Sequence, residues 1–371
     1  MSTSAKKKIL VYETSLDGHR RHYLSVIDDM LASEGSELTY YLPEQGEISL
    51  KHGKILQKIS PHSSKGIGSA FARLRFLVKA ILSCRPNIVL IPTSDGLSQF
   101  VFLLAPLLLF LQCRIVCVLH RAKFGYPAPS LRDRLIQLYS YITYGIAFRC
   151  SFLSVDIVPV ETLKKRVNPL GLRINYLPDP LTSPVARSRE ESRSITKLPK
   201  DLQIFGCVGV IDRRKGADLL IKAAPFLTAS QRILLAGKFH PEIIAMLADL
   251  GEETKSKLIL ENRFLGEDEM FAYICALDGM LMIQHGHTGI SSFALHSVKY
   301  GIPLLCSSTP WFNELKKQFP EIVTIAEDGE NLGSLITDWG SNCQRGHTPD
   351  EAFSQKYSRM AFADALANEL K

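Results

Sequence analysis

Apolar runs of strand length recur along the first half of the chain, and segments with helical spacing separate them. The runs are rich in Val, Ile and Tyr, and their apolarity is continuous rather than alternating, as in strands covered on both faces of a parallel sheet. The pattern predicts strands at residues 8–14, 37–43, 87–95, 114–120 and 155–162, and helices near 21–33, 69–84, 98–112 and 131–149. This βαβα order predicts a doubly wound α/β domain.

The pattern is interrupted once and then restarts. The interruption, residues 182–200, reads "TSPVARSREESRSITKLPK"; it is polar and charged, and we interpret it as an interdomain linker. Beyond it, strands are predicted at 204–210, 232–238, 257–266, 278–284, 302–308 and 321–327, with helices near 216–228, 267–276, 291–300 and 312–318. A second doubly wound domain therefore follows the first.

The domain boundaries follow from this interruption and from the length of 371 residues, which exceeds that of an ordinary single domain. We predict two Rossmann-like α/β domains, over 1–181 and 201–345, that face a cleft where ligands bind at the carboxyl ends of the strands. Residues 346–371 are predicted to form a terminal amphipathic helix. Its apolar stripe would consist of Phe353, Tyr357, Ala363, Leu366 and Leu370.

Cysteine usage and the amino terminus both favour a cytoplasmic protein. The eight cysteines form no C-x-x-C pair, and most lie inside apolar runs, as buried thiols do in a reducing compartment. The amino terminus, "MSTSAKKKILVYET", passes directly into a predicted strand without the apolar stretch of a signal peptide. We therefore expect a location in the cytoplasm, with the inner face of the membrane left open.

Positive charge is concentrated in the first half. Residues 51–150 hold 14 basic and 2 acidic side chains, which suggests a phospholipid surface or a phosphorylated acceptor as partner, with a solvated basic surface as the alternative. The most apolar segment, "FVFLLAPLLLFLQC" at 100–113, contains Pro106 and is shorter than the ~20 residues of a membrane span. We interpret it as a helix buried in the domain and leave peripheral membrane contact open.

A cationic turn in the second half is the main chemical motif. In "FGCVGVIDRRKGADLLIKAAPFL" a predicted strand ends at Gly209, a short loop carries Arg213, Arg214 and Lys215, and a helix follows. Cations at such a turn can bind a diphosphate, although an exposed basic turn is the alternative. No G-x-G-x-x-G follows a strand and no G-x-x-x-x-G-K-[ST] occurs, which argues against a dinucleotide site and a nucleotide triphosphatase.

This stretch resembles the phosphate-binding loop of the two-domain GT-B glycosyltransferases, specifically the retaining family 4 type, with its pattern "G...KG...L..A". The resemblance continues through "ILLAGK", "FLGEDEMFAYICALDGMLMI" and "GISSFALHSVKYGIPLLCS", and covers most of residues 204–320. In the first half, "VCVLHRAKF" and "VDIVPVETLKKRV...INYLPDPL" match more loosely. The resemblance implies transfer of a sugar, with retention, from a UDP- or GDP-linked donor to a carbohydrate or lipid-linked acceptor. The reaction would belong to polysaccharide or glycoconjugate synthesis.

The acidic motif of that family is degenerate here. Members usually carry E-x7-E, with one Glu near the donor sugar and one on the ribose hydroxyls, and these places fall on Thr288 and His296. The backbone of Thr288, Gly289, Ile290, Ser291 and Ser292 can still bind the donor's distal phosphate at a helix start, with Ser291 or Ser292 as its cap. His296 either binds a ribose hydroxyl or is a packed helix residue.

Two candidates lie in the first domain. Gly18 and His19, in "TSLDGHRRHYL", follow the first predicted strand, and the resemblance places this loop near the donor phosphates and the acceptor. His120 ends the predicted strand 114–120, where related enzymes place a histidine close to the donor sugar; a core histidine bonded to backbone is the alternative. His120, Arg214 and Lys215 are thus the candidate catalytic residues, and Gly209 and Arg213 join the donor-binding set.

Neither a metal nor a cofactor is expected, and no nucleic acid as partner. The chain has no D-x-D, and His285, His287 and His296 match no known zinc-ligand spacing. Three further hypotheses keep the fold: a nucleotide-sugar epimerase, an inverting transferase, and a non-catalytic glycosyltransferase-like scaffold subunit. The missing glutamates favour the scaffold, whereas the basic loop argues against it.

Overall fold

The computed structural model describes residues 6–16, 20–43, 48–59, 67–94, 97–120, 130–149, 153–157, 174–181, 187–284, 290–327, 331–346 and 351–370. Contacts divide the chain into two compact units. The first unit comprises Met1–Thr182 and Lys356–Lys371, and the second comprises Ser183–Gln355. The last helix of the chain thus belongs to the first unit.

The first unit is built on a parallel sheet with the strand order β3-β2-β1-β4-β5-β6-β7. Its strands are β1 (Lys8–Tyr12), β2 (Glu37–Pro43), β3 (Lys54–Ile59), β4 (Ile88–Ile91), β5 (Arg114–Leu119), β6 (Leu153–Ile157) and β7 (Ile174–Tyr176). The central strands β1, β4 and β5 are buried along almost their whole length, which explains their continuous apolarity. The outer strands β3 and β7 were not predicted.

The second unit has a parallel sheet with the order β10-β9-β8-β11-β12-β13. Its strands are β8 (Gln203–Val208), β9 (Gln231–Gly237), β10 (Leu258–Asn262), β11 (Gly279–Met282), β12 (Leu304–Ser307) and β13 (Val323–Ala326). A core cluster that includes Phe205, Ile233, Leu235 and Leu281 packs against one face of the sheet. The predicted succession of strands in this half is confirmed, with slightly shorter bounds.

Helices connect the strands in both units. In the first unit they are α1 (Arg20–Ser33), α2 (Ile67–Cys84), α3 (Ala105–Phe110) and α4 (Leu131–Arg149). In the second they are α5 (Arg189–Thr196), α6 (Ala217–Ala223), α7 (Pro241–Ala248), α8 (Glu252–Ser256), α9 (Glu267–Ala276), α10 (Ser292–Lys299), α11 (Pro310–Gln318), α12 (Leu332–Asn342) and α13 (Glu351–Lys356). The helix α14 (Arg359–Leu370) completes the first unit.

The apolar segment near residue 100 differs from its prediction. It forms a 3-10 helix (Ser98–Leu104) followed by α3, rather than one buried helix. Phe100 and Leu108 are buried, but Leu109 is half exposed and Phe110 is 85% exposed. Only one side of the segment faces the sheet, so Leu103, Leu109 and Phe110 remain exposed at the surface. Across the described ranges, no helix has both the length and the apolarity needed to cross a bilayer.

The described part of the segment predicted as a linker, residues 187–200, is instead part of the second unit. Within residues 182–200, α5 packs against α9, and the fully buried Arg193 holds it there. The guanidinium donates to the carbonyl oxygens of Ala276 (3.0 Å), Pro199 (2.8 Å) and Leu202 (2.8 Å). A polar composition indicated a linker, but one of its charged side chains is an interior hydrogen-bond donor.

The carboxyl-terminal segment forms two helices, not one. Phe353 on α13 packs against Phe319 of the second unit, with ring centroids 5.2 Å apart. By contrast, Phe362, Leu366 and Leu370 on α14 are buried in the first unit. The predicted stripe therefore serves two separate cores, because the chain passes from the second unit to the first at the end of α13.

Candidate active site

The strand order of the second unit marks one point of its sheet for ligand binding. The connections that leave β8 and β11 run to opposite sides, and in open α/β sheets ligands bind outside the carboxyl ends of strands at such a reversal. A small cavity lies there, lined by Cys207, Val208, Lys215, Met282, Gln284 and Phe293. The cationic turn predicted from the sequence therefore reaches this point.

The turn after β8 is shaped by a cap and a glycine. Asp212 precedes a 3-10 turn (Arg213–Lys215), and its Oδ1 accepts a hydrogen bond from the Lys215 backbone N–H at 2.9 Å. Gly216 ends the turn with φ +75°, and a Cβ at this position would lie 1.8 Å from the carbonyl oxygen of Ile283. The missing side chain lets the turn pack directly against the chain that leaves β11.

Lys215 directs its ammonium towards the cavity. The Nζ donates to the carbonyl oxygen of Val208 at 3.3 Å and lies 5.1 Å from the centre of the Phe293 ring, a cation–π arrangement. Gly209 has φ +106°, and a Cβ there would lie 2.9 Å from this Nζ and 3.2 Å from the ring. Gly209 thus provides the space in which the ammonium sits.

Burial gives this ammonium an unfavourable electrostatic environment. Desolvation lowers the pKa of Lys215, with a further lowering effect from Arg214, whereas Cys207 and Asp212 act in the opposite direction. An anion in the cavity would stabilise the charged form, because an opposite charge at close range offsets the cost of desolvation. The Lys215 ammonium is therefore a candidate contact for a phosphate oxygen.

The other two predicted cations lie outside the cavity. Arg213 is exposed and forms an ion pair with Glu242 at 3.6 Å, and the exposed Arg214 lies 3.5 Å from a carboxylate oxygen of Asp212. Such exposed pairs contribute little to stability, so both guanidinium groups can change partners at small cost. The structure thus separates one inward lysine from two surface arginines.

Gln284 is a cavity residue that sequence reasoning missed. It is buried, its backbone N–H donates to the Ser307 hydroxyl, and that hydroxyl donates to the Gln284 carbonyl oxygen. The side-chain Oε1 of Gln284 accepts no hydrogen bond from the described residues. A buried amide oxygen without a donor costs free energy that a ligand hydroxyl or N–H can restore. Its sequence position could have identified it as a candidate site residue, because it is the first polar residue after the apolar run of β11.

The start of α10 only partly matches its prediction. Thr288 and Gly289 lie outside the described residues, and Ile290 is half-buried just ahead of the helix. Ser291 occupies the N-cap position, but its hydroxyl contacts the Met282 sulfur at 3.8 Å and makes no capping bond to the helix. Ser292 is the first helical residue. Of the two serines predicted as the cap, Ser291 is thus the N-cap residue, but its hydroxyl faces β11 and makes no capping bond.

His296 is packed inside the second unit. Its ring makes an edge contact with Phe271, with centroids 4.6 Å apart, and stacks on Tyr300 at 6.1 Å. The side chain is buried on α10. Of the two interpretations of this residue, the geometry favours the packed helix residue.

The sheet of the first unit also has a reversal, between β1 and β4, and a buried acid lies beside it. Glu13 directly follows β1, and its Oε1 accepts hydrogen bonds from the backbone N–H groups of Thr14 (2.7 Å) and Ser15 (3.2 Å). Burial raises its pKa to about 7, against the lowering effects of Arg20 and the Thr93 hydroxyl. Sequence reasoning missed Glu13 because it counted this residue into the first strand.

His120 directly follows β5 on the same sheet edge. Its Nε2–H donates to the carbonyl oxygen of Pro92 at 3.0 Å, and its ring meets the edge of Tyr23 at 5.2 Å. The histidine is buried, and its ring orientation is held by the chain after β4. Gly18 and His19, the other candidates of this unit, lie outside the described residues.

Comparison with known proteins identifies the fold. No family model matches the chain, and no curated protein matches it. Among solved structures, it is similar to sucrose-phosphate synthase from Thermosynechococcus elongatus, with TM-score 0.72, 13% identity and 98% of each chain covered. It is also similar to WaaG, a glycosyltransferase involved in lipopolysaccharide biosynthesis, with TM-score 0.65, 12% identity, and 97% of this chain and 94% of WaaG covered.

A third similar structure is that of Anabaena HepE in complex with UDP-glucose, with TM-score 0.66 and 13% identity over 98% of this chain and 99% of HepE. The fold is that of the GT-B glycosyltransferases. The predicted fold class is therefore confirmed. At 12–13% identity these likenesses concern the GT-B fold, and the assignment to family 4 and the roles of individual residues remain predictions.

Proposed function

We propose that this protein is a glycosyltransferase whose second unit binds the diphosphate of a nucleotide-sugar donor at the reversal between β8 and β11. The observation that carries the proposal is the inward ammonium of Lys215, held beside Phe293 at the carboxyl end of β8 on a GT-B fold. HepE, which has the same fold, has been solved with UDP-glucose. We accordingly propose a UDP- or GDP-linked donor.

Lys215 would act on the leaving group. As the bond between sugar and diphosphate breaks, negative charge develops on the phosphate, and a preorganised cation in a partly dry site stabilises that charge more than water does. The ammonium is already desolvated and fixed by the Val208 carbonyl, so little reorganisation is needed. Arg214, which is exposed and close to the same turn, can supplement this charge.

The acceptor is proposed to be the hydroxyl of a carbohydrate or lipid-linked molecule in polysaccharide or glycoconjugate synthesis, and the transfer to proceed with retention. His120 is the proposed first-unit residue near the donor sugar. The anomeric proton signal of the product distinguishes retention from inversion. Because lysine offsets the diphosphate charge in this proposal, transfer should continue when a chelator removes divalent cations; a complete loss would show that a metal is required.

Nucleotide binding tests the proposed phosphate site directly. Calorimetric titration with UDP and with GDP should show binding of one of them to the parent protein, and Lys215→Ala should weaken it ten- to a hundredfold, since a charge-assisted hydrogen bond contributes about 1.5–3 kcal/mol. Lys238→Ala is the matched control, because Lys238 is exposed just beyond the end of β9, the neighbouring strand. It should bind as the parent does.

Two results would contradict the proposal. If folded Lys215→Ala binds the nucleotide as tightly as the parent, the phosphate site lies elsewhere. If the parent binds neither UDP nor GDP, the scaffold hypothesis gains. That hypothesis has support from His296, which is packed between aromatic rings where the resemblance implies a ribose-binding glutamate. Nucleotide binding without any hydrolysis or transfer of a donor sugar would also favour a scaffold subunit.

A further inference from the structure

Exposed apolar side chains are concentrated on one part of the first unit. On α4, four residues spaced as i, i+4, i+7 and i+11 form an exposed stripe: Leu131, Leu135, Leu138 and Ile142. On α3, Leu109 is half exposed and Phe110 is 85% exposed. Single exposed hydrophobic residues are common on soluble proteins, but a stripe of this kind marks an interaction surface.

The topology brings these helices together. The connections from β3 to β4, from β4 to β5 and from β5 to β6 all run in the same direction along the sheet. Because such crossovers are right-handed, α2, α3 and α4 cover the same face of the sheet. The 3-10 helix before α3 contacts both α2 and α4, and Phe71 on α2 packs against Phe100 with ring centroids 5.4 Å apart.

Exposed basic side chains lie on two of the same helices. Arg75 and Lys79 are exposed on α2, and Arg132 and Arg134 are exposed at the start of α4. The acidic residue described on α4, Asp133, accepts a hydrogen bond from the Ser130 hydroxyl at the helix start. We call the exposed apolar and basic side chains of α2, α3 and α4 the basic apolar face.

We infer that the basic apolar face binds the surface of an anionic phospholipid membrane. Apolar side chains would enter the boundary between headgroups and acyl chains, while arginine and lysine contact the lipid phosphates. A second copy of the chain fits this face less well. In a twofold dimer the same surface meets itself, so two sets of the same four basic side chains would face each other and repel.

This inference deepens the proposed function, since a lipid-linked acceptor would be found at such a surface, but it is tested without any transfer reaction. Sedimentation with vesicles of phosphatidylcholine, with and without phosphatidylglycerol, measures it. The parent protein should bind vesicles that contain phosphatidylglycerol, and binding should fall as salt is added. Absence of binding to these vesicles at low salt would overturn the inference.

Two sets of variants separate the apolar and basic contributions. Phe110→Ser combined with Leu135→Ser should weaken binding at least tenfold, since two large apolar side chains would no longer be transferred from water into lipid. Arg132→Gln with Arg134→Gln should weaken binding to anionic vesicles about tenfold or more. Far-UV circular dichroism and UDP or GDP titration should match the parent in both variants.

The matched control is Phe264→Ser in the second unit, where Phe264 is 81% exposed. It should bind vesicles as the parent does; an equal loss in Phe264→Ser and Phe110→Ser would contradict the assignment. Light scattering provides a second criterion. A dimer that dissociates in Phe110→Ser/Leu135→Ser, with no change in vesicle binding, would show that a second copy occupies the face. Failure of nucleotide binding alone would refute the proposed function and leave this inference standing.

Discussion

Replacing Arg193 tests whether α5 is a structural part of the second unit. The side chain is 1% exposed. In addition to the carbonyl oxygens of Ala276, Pro199 and Leu202, its guanidinium donates to the Lys200 carbonyl oxygen at 3.2 Å and to Asp278 Oδ2 at 2.5 Å. Methionine at this position fills a similar volume but donates no hydrogen bond. Arg193→Met would leave several buried carbonyl oxygens without a donor and one carboxylate without its closest cation.

The magnitude follows from these contacts. Breaking a buried ion pair by removing one partner costs about 3–5 kcal/mol. Asp278 keeps bonds from Arg189 (2.7 Å) and from the Ile204 N–H (2.6 Å), which places the expected loss near the lower end, about 3 kcal/mol. With a urea dependence of about 2 kcal/mol per M, the unfolding midpoint should fall by about 1.5 M.

Tryptophan fluorescence reports the second unit alone. Both tryptophans of the chain, Trp311 and Trp339, lie in this unit, and Trp339 packs against Phe205 with ring centroids 5.4 Å apart. Urea unfolding followed by their emission therefore measures the stability that Arg193 affects. The matched control is Arg263→Met, since Arg263 pairs with Glu261 and Glu269 at the surface and should contribute less than about 1 kcal/mol.

The difference between the two arginine variants shows whether the buried contacts of Arg193 stabilise the second unit. If Arg193→Met shifts the midpoint no more than Arg263→Met does, the buried contacts of Arg193 do not stabilise the unit, and α5 is a dispensable linker after all. If the shift is near 1.5 M for Arg193→Met only, α5 is a structural part of the second unit.

Two further predictions concern the ends of β1 and β8. Gly216→Ala should destabilise the second unit by more than about 2 kcal/mol in the same urea assay, because the added Cβ would meet the Ile283 carbonyl oxygen at a positive φ. The control, Gly251→Ala, has open space around the added Cβ and should change the stability by less than about 1 kcal/mol. Equal effects of the two substitutions would refute the packing argument. Because the folded pKa of Glu13, about 7, exceeds its ordinary value near 4.5, its contribution to the stability of the first unit should be fully present below pH 4.5 and fall by about 3 kcal/mol as pH rises to 7. Glu13→Gln should remove this part of the fall in calorimetric scans, while a share of similar size from Asp179, whose pKa burial raises to about 6, should remain; an unchanged slope would show that Glu13 ionises normally.

Hydrophobic patterning was sufficient for the main elements of both units. The predicted ranges 37–43, 131–149 and 267–276 match β2, α4 and α9 in full. These elements have strong periodicity or continuous apolarity, because each covers or forms the interior of a parallel sheet. The cationic turn, the carboxyl-end position of His120 and the GT-B fold class also followed from the sequence.

Local pattern was insufficient where a contact with a distant segment decides the outcome. The edge strand β3, "KILQKI", is half polar because it pairs on one side only, so it resembles a loop in sequence. The apolar residues of α3 look equally suited to burial, yet the sheet covers one side of this helix alone. Tertiary packing separates Leu108, which is buried, from the exposed Phe110.

The candidate site shows the same division between sequence and tertiary structure. Sequence alone determined that three adjacent cations follow β8, but the direction of each side chain depends on segments far along the chain. Lys215 turns inward because Gly209 leaves space and Phe293 offers the face of its ring, while Arg213 turns outward to Glu242. Burial of Glu13 and Gln284 is likewise a property of the assembled sheets, because the cost of a desolvated polar group exists only once distant strands exclude water from it.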